Sequence, residues 1–221
     1  MAISLIGNGG TVAEVDGTAH RAFRVTTRPG EALGYYSLGT STGVLPAALG
    51  ANSEIFQFRN VNATLAIIRR VRISASVSTT MFAAGVPIQI DMVKATGWTV
   101  QGTLGTGITI GATLKKRTSM ASSVVAAGDI RIATTAALGA GTKTLEANSM
   151  RGVAAAGPIA TSATGTIIEA GFSLFEADTA EGDYPLVLAA NEGFVIRSVA
   201  VPATGTWTVT VGVEWMELAA Y

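Results

Sequence analysis

The stretch from Trp207 to Trp215 constrains this chain more than any other. Trp207, Val209, Val211, Val213 and Trp215 alternate with Thr208, Thr210, Gly212 and Glu214, and Thr206 continues the polar series. Strict period-two alternation of β-branched and aromatic residues builds a strand with one face in a core and one in water. A second strand is predicted over Leu65 to Thr79. There Leu65, Ile67, Val71, Ile73, Ala75 and Val77 share one face, and Arg70, Arg72, Ser74, Ser76 and Ser78 share the other. Arg69 interrupts the apolar face and marks a bulge or a strand end.

Further strands are predicted over Ala22 to Thr27, Glu54 to Arg59, Pro87 to Lys94, Asp129 to Ala133, Gly165 to Phe175, Tyr184 to Ala189 and Gly193 to Pro202. Turn signals separate them, among them Asp16-Gly17, Pro29-Gly30, Asn60 to Asn62, Gly157-Pro158 and Asn191-Glu192-Gly193. Only Met120 to Ala127 and Pro46 to Asn52 pattern as short turns of helix, and Gly97 to Gly111 reads as a long loop or hairpin. The prediction is an all-β fold: a single jelly-roll-like antiparallel β-sandwich with long loops and little helix. An immunoglobulin sandwich is disfavoured because 221 residues exceed its usual length of about 100. Residues 1–20 are expected to form an N-terminal arm, and residues 21–221 the sandwich domain.

Composition narrows the function. Hydrophobic residues are 48% of the chain and charged residues 14%, against about 25% charged in an ordinary globular chain. Low charge in a folded chain fits a surface covered by partners. No apolar block reaches the ~18 residues a membrane helix needs, and the start of the chain lacks the basic n-region of a signal peptide. Net charge is zero, which argues against a general nucleic-acid binder. The charges are segregated, however. Through Ala160 there are 14 basic and seven acidic residues; from Thr161, Arg197 stands alone against eight acids. Such halves pair within one domain or between copies.

Catalytic readings do poorly. His20 is the single histidine and there is no cysteine, so thiol chemistry and histidine-rich metal sites are absent and a Ser-His-Asp arrangement has one possible base. The runs Gly102 to Gly107 and Gly139 to Lys143 lack the Gly-Lys-Ser/Thr ending and following helix of a phosphate loop. Glu176, Asp178, Glu181 and Asp183 place four carboxylates in eight residues. They could hold Ca2+ through hard oxygen ligands, although the spacing is not that of an EF-hand and an exposed turn explains them equally well. The basic clusters Arg69, Arg70, Arg72 and Lys115, Lys116, Arg117 lack the interleaved aromatics of a nucleic-acid face; a solvated face or ion pairs to acidic neighbours are expected, with contact to an acidic shell surface as the alternative. Trp207 and Trp215 are expected in the core. Trp98, beside the Gly-rich run, is either packed or a contact anchor or sugar platform. Ile3, Leu5 and Ile6, before Gly7-Asn8-Gly9-Gly10, form an arm able to dock on a neighbouring subunit.

Two segments carry a resemblance. One is Glu54-Ile55-Phe56-Gln57-Phe58-Arg59 leading into Ala63-Thr64-Leu65-Ala66-Ile67-Ile68-Arg69-Arg70-Val71-Arg72. The other is Gly182-Asp183-Tyr184-Pro185-Leu186-Val187-Leu188 with Asn191-Glu192-Gly193-Phe194-Val195-Ile196-Arg197 and the closing Val213-Glu214-Trp215. Lys116 to Met120 and Gly128 to Ile132 belong to the same pattern. Together, over residues 54 to 217, the chain resembles a group of tailed-bacteriophage virion structural proteins. The resemblance implies a non-enzymatic jelly-roll component of the head, without cofactors: a decoration or cement protein. It would be made in the host cytoplasm and bound to the capsid exterior, with the major capsid protein as partner. A homotrimer or homodimer is expected, with no membrane and no direct nucleic-acid contact. The expected contact residues are Ile3, Leu5, Ile6 and Trp98. The alternative is a receptor- or glycan-binding module of a tail or head fibre, with Trp98 at the sugar.

Overall fold

The computed structural model describes residues 34–46, 49–82, 88–110, 114–115, 120–155, 167–177, 185–200 and 204–219. The chain divides into two compact units at Glu31/Ala32, and every described residue belongs to the second. The strand expected at Ala22 to Thr27 and the arm boundary at residue 20 lie outside the described residues.

Among the described residues thirteen strands follow one another. They are β1 (Gly34–Ser41), β2 (Leu45–Pro46), β3 (Ser53–Asn60), β4 (Leu65–Val77), β5 (Ile88–Val100), β6 (Thr106–Gly107) and β7 (Ile130–Ile132). After them come β8 (Thr142–Leu145), β9 (Arg151–Ala155), β10 (Ile167–Glu176), β11 (Leu186–Leu188), β12 (Glu192–Ala200) and β13 (Thr206–Leu218). The first sheet runs β1-β13-β4-β10, with β2 on β13 and β11 on β4; the second runs β6-β7-β3-β12-β5-β8, with β9 also on β5.

The order of pairing identifies the architecture. The first long strand pairs with the last, β1 with β13. Moving inward along the chain, β3 pairs with β12, β4 with β10, and β5 with β8 and β9. All are antiparallel. The described strands therefore form one long antiparallel ribbon of four strand pairs, rolled so that alternate pairs fall into alternate sheets. That is a jelly roll, as the sequence pattern predicts.

Alternation explains the core. Trp207, Val209, Val211, Val213 and Trp215 on β13 are all fully buried between the sheets, with Phe56, Phe58, Phe194 and Ile196 facing them from the second. Phe58 stacks on Phe194 at 5.4 Å and meets Trp215 edge-on at 5.5 Å, and Tyr36 stacks on Trp215 at 5.4 Å. Removing a side chain of this size from water is worth about 1.5–3 kcal/mol.

Three irregularities re-aim side chains. On β4, Arg70 pairs with Glu214 but Ile68 pairs with Trp215, leaving Arg69 as an extra residue. Arg69 is thus a bulge, and it shifts the alternation: Ala66 and Ile68 enter the core before it, and Val71, Ile73, Ala75 and Val77 after it. The expected alignment of Ile67 with Val71 is corrected accordingly; Ile67 is buried outside the main core. On β3, Phe56 pairs with Ile196 and Glu54 with Arg197, so Ile55 is extra. On β5, the pairing with β8 slips between Thr96 and Val100, around Gly97 at φ +59°, a backbone that favours glycine.

Among the described residues no α-helix is present. Met120 to Ala127, expected as a helical turn, is irregular, because side-chain acceptors take its backbone donors. Val124 N–H goes to Glu217 and Ala126 N–H to Asp129. Of the turn expected over Pro46 to Asn52, Pro46 lies in β2, residues 47–48 lie outside the described residues, and Asn52 sits at φ 59° in a turn. The Asn60 to Asn62 turn is present. The buried Asn60 amide donates to the carbonyls of Thr64 and Leu188 and accepts from Asn62 N–H.

Candidate functional site

Bulged Ile55 puts Glu54 and Gln57, three residues apart, on the outer face of the second sheet. Gln57 Nε2 donates to Glu54 Oε2 at 2.6 Å and to Gly139 O at 2.9 Å. Lys143 Nζ, arriving from β8, donates to the same Glu54 Oε2 at 2.9 Å and to the Ala140 carbonyl. The segment 138–143 is thereby clamped over this face, and its Leu138 N–H is bonded to Glu54 O. All three side chains are nearly or fully out of water. Burying a pair of charges costs desolvation that only good geometry offsets, and here the carboxylate has two donors on one oxygen.

Trp98 belongs to this clamp. The slip around Gly97 turns its indole onto the outer face with Val93, Ala95 and Val195, where it is 0% exposed. Its Nε1 donates to Val100 O at 3.1 Å, and the Lys143 ammonium lies 4.5 Å from the ring centroid, within cation–π range. Gly193 lies against it: a Cβ there would stand 2.9 Å from the ring and 2.2 Å from Phe58 O. Trp98 is therefore a packing residue, and the expectation that it anchors a partner or a sugar is corrected. A fully buried ring presents no face to either.

Beside the clamp, Arg197 forms a bidentate pair with Asp91, Nε to Oδ1 at 3.0 Å and Nη2 to Oδ2 at 2.5 Å. The Asp91 hydrogen bond raises the Arg197 pKa above its ordinary value, against the opposing pull of burial. Farther along β3, Arg59 holds Asp129 at 2.7 Å. The Gly-rich run between β5 and β7 turns carbonyls, not amides, toward a charge: Arg131 Nη2 donates to Leu104 O at 2.6 Å. It is no phosphate cradle.

The outer face of the first sheet is more open. Arg70 pairs with Glu176 and, at 3.8 Å, with Glu214; Arg72 reaches Glu176 at 3.8 Å. Tyr35 Oη donates to Glu214 at 3.0 Å. The Glu176 carboxyl is lowered below its ordinary range, first by the Ser173 hydroxyl at 2.9 Å and then by Arg70. Basic residues of the first half thus meet acids of the second within one domain. Glu176, expected as a possible calcium ligand, is engaged by arginines; Asp178, Glu181 and Asp183 lie outside the described residues. Ile3, Leu5, Ile6 and His20 lie outside them too.

A second buried carboxylate sits at the end of β13. Glu217, 0% exposed, accepts from Ser123 Oγ at 2.5 Å, Val124 N–H at 3.0 Å and Trp215 Nε1 at 3.2 Å. It ties the 121–125 segment to the core. Burial and then the Glu217 charge push the neighbouring Tyr36 hydroxyl up to about 12.

Sequence reasoning did not single out Glu54, Gln57, Lys143 or Glu217. A Glu and a Gln at i and i+3 look like opposite faces of a strand, and only the bulge unites them. The one available signal was polar residues within otherwise apolar strands.

No family model and no curated protein matches the chain. Among solved structures, VP1 of the Trichodysplasia spinulosa-associated polyomavirus, in complex with 3'-sialyllactose, aligns at 8% identity and TM-score 0.30. That alignment covers 88% of this chain and 98% of VP1. A likeness so loose leaves the strand order itself as the ground for the fold.

Proposed function

We propose that the chain is a structural virion protein, a decoration or cement protein on the outside of a tailed-phage head. The observation that carries this reading is the rolled four-pair ribbon, β1·β13 through β5·β9. It is an architecture that viral shells, lectins and cupins share, and it coincides here with the sequence resemblance over residues 54 to 217. Fold alone does not fix function, and two further features point the same way. The charged groups are matched to one another: Arg70 with Glu176 and Glu214, Arg197 with Asp91, Lys143 with Glu54. The glycan-binding alternative has lost its aromatic platform, because Trp98 is buried.

The protein acts by mass action. A subunit that binds the assembled shell and not its dissociated parts raises the stability of the shell. The partner is the major capsid protein, and shell symmetry makes a homotrimer or homodimer the natural unit. Ile3, Leu5 and Ile6 serve as the docking arm. Cosedimentation of purified protein with heads lacking it tests the reading. Saturable binding, lost on deleting Met1 to Gly10, is the expected result. Absence of binding to heads, with binding to a glycan array instead, would transfer the protein to a fibre.

A further inference from the structure

The clamp on the second sheet brings together an amine, a carboxamide and a shared carboxylate. We propose that Lys143 and Gln57 become covalently joined by an intramolecular isopeptide bond, formed by the protein itself with Glu54 as proton carrier. This inference does not depend on the virion reading.

The geometry supplies each part. Glu54 Oε2 receives Lys143 Nζ at 2.9 Å and Gln57 Nε2 at 2.6 Å, so one oxygen touches both the nucleophile and the leaving group. Gln57 is 0% exposed, Glu54 7%, and the Lys143 side chain 2%, so water is kept from competing for the carboxamide carbon. Trp98 covers the amine. Gly139 O fixes the second amide proton of Gln57. Gln57 Oε1 is buried without a hydrogen-bond donor, an orphan that an ordinary structural glutamine avoids. Holding both reactants on one carboxylate oxygen replaces a bimolecular encounter with a local step.

The step balances without a co-reactant. The Lys143 ammonium first passes a proton to Glu54 Oε2 along their hydrogen bond, leaving a neutral amine and a neutral acid in a site where water supports neither charge. The Nζ lone pair then attacks Gln57 Cδ, and the C=O pair moves onto Oε1. A proton moves from Nζ to Nε2 through Glu54, the Cδ–Nε2 bond breaks as the carbonyl reforms, and the departing ammonia takes the proton still held by Glu54 and leaves as ammonium. The remaining proton on the new amide nitrogen makes it an ordinary secondary amide. The cross-link ties β8 to β3 across the sheet.

Mass spectrometry of the intact, purified full chain decides the matter. The expected mass lies about 17 Da below the encoded mass, the ammonia released by amine attack on the carboxamide. Proteolysis should yield one branched peptide joining the segments that carry Gln57 and Lys143. Lys143→Arg and Glu54→Ala should each restore the encoded mass. A wild-type chain at the encoded mass, with Gln57 and Lys143 in separate peptides, would overturn the proposal even if neither variant folds. A deficit that maps elsewhere, such as a succinimide at Asn8-Gly9, would overturn it as well.

Discussion

At the scale of single residues, three side chains do work that their positions in the sequence do not advertise. Trp98 seals the outer cluster of Val93, Ala95 and Val195 and lies against Lys143. Replacing it with alanine should cost about 3–5 kcal/mol, the range for emptying a buried aromatic site, read as a lower denaturant midpoint. An unchanged midpoint would mean the ring is not packed. Tyr36 predicts a pH effect. Its hydroxyl has an ordinary value of 10.0 and is pushed up to about 12 in the fold, by burial and then by Glu217. An unfolded tyrosine therefore ionises before the folded one does. The stabilisation is whole below 10 and is lost as pH rises toward 12, by up to about 3 kcal/mol. Urea titrations across that window should show the loss, and Tyr36→Phe should flatten much of it. Tyr35, raised in the same direction, keeps a residual slope.

At the scale of elements, the bulges decide which residues face inward. Deleting Arg69 would set Ala66, Ile68, Val71, Ile73, Ala75 and Val77 in one uniform alternation with their pairing to β13 kept, at the loss of the bond from Ala177 N–H to Arg69 O. The expected outcome is a chain that still folds cooperatively, less stable by about 1 kcal/mol, whereas Arg69→Ser should stay within about 0.5 kcal/mol of wild type. Circular dichroism melts of the two variants read these outcomes, and loss of cooperative folding on the deletion would contradict the bulge. The same elements show how far the sequence could be read. β3, β4, β12 and β13 were legible because long runs of alternating β-branched and aromatic residues have a single solution. β1 was not: in Gly34-Tyr35-Tyr36-Ser37-Leu38-Gly39-Thr40-Ser41, Ser37, Gly39 and Ser41 take three of the four outward positions and mimic a loop. β8 was missed because Thr142, Lys143 and Thr144 give it no apolar alternation before Leu145. The Lys143 clamp was invisible, since it depends on one extra residue at Ile55 and on a contact between β8 and β3, distant in the chain.

At the scale of the whole molecule, the segregated charge of the sequence is resolved partly within the first sheet. Arg70 and Arg72 meet Glu176 and Glu214 across β10, β4 and β13. A domain whose ion pairs are made within itself keeps its surface available for broad, weakly charged contact, as the proposed cement role requires. For the proposed binding to the shell, calorimetry of phage heads with and without the protein is the decisive measurement. The rupture temperature of the heads should rise with added protein and saturate, as linkage to the assembled state demands. A rupture temperature that does not move at saturating protein would contradict it.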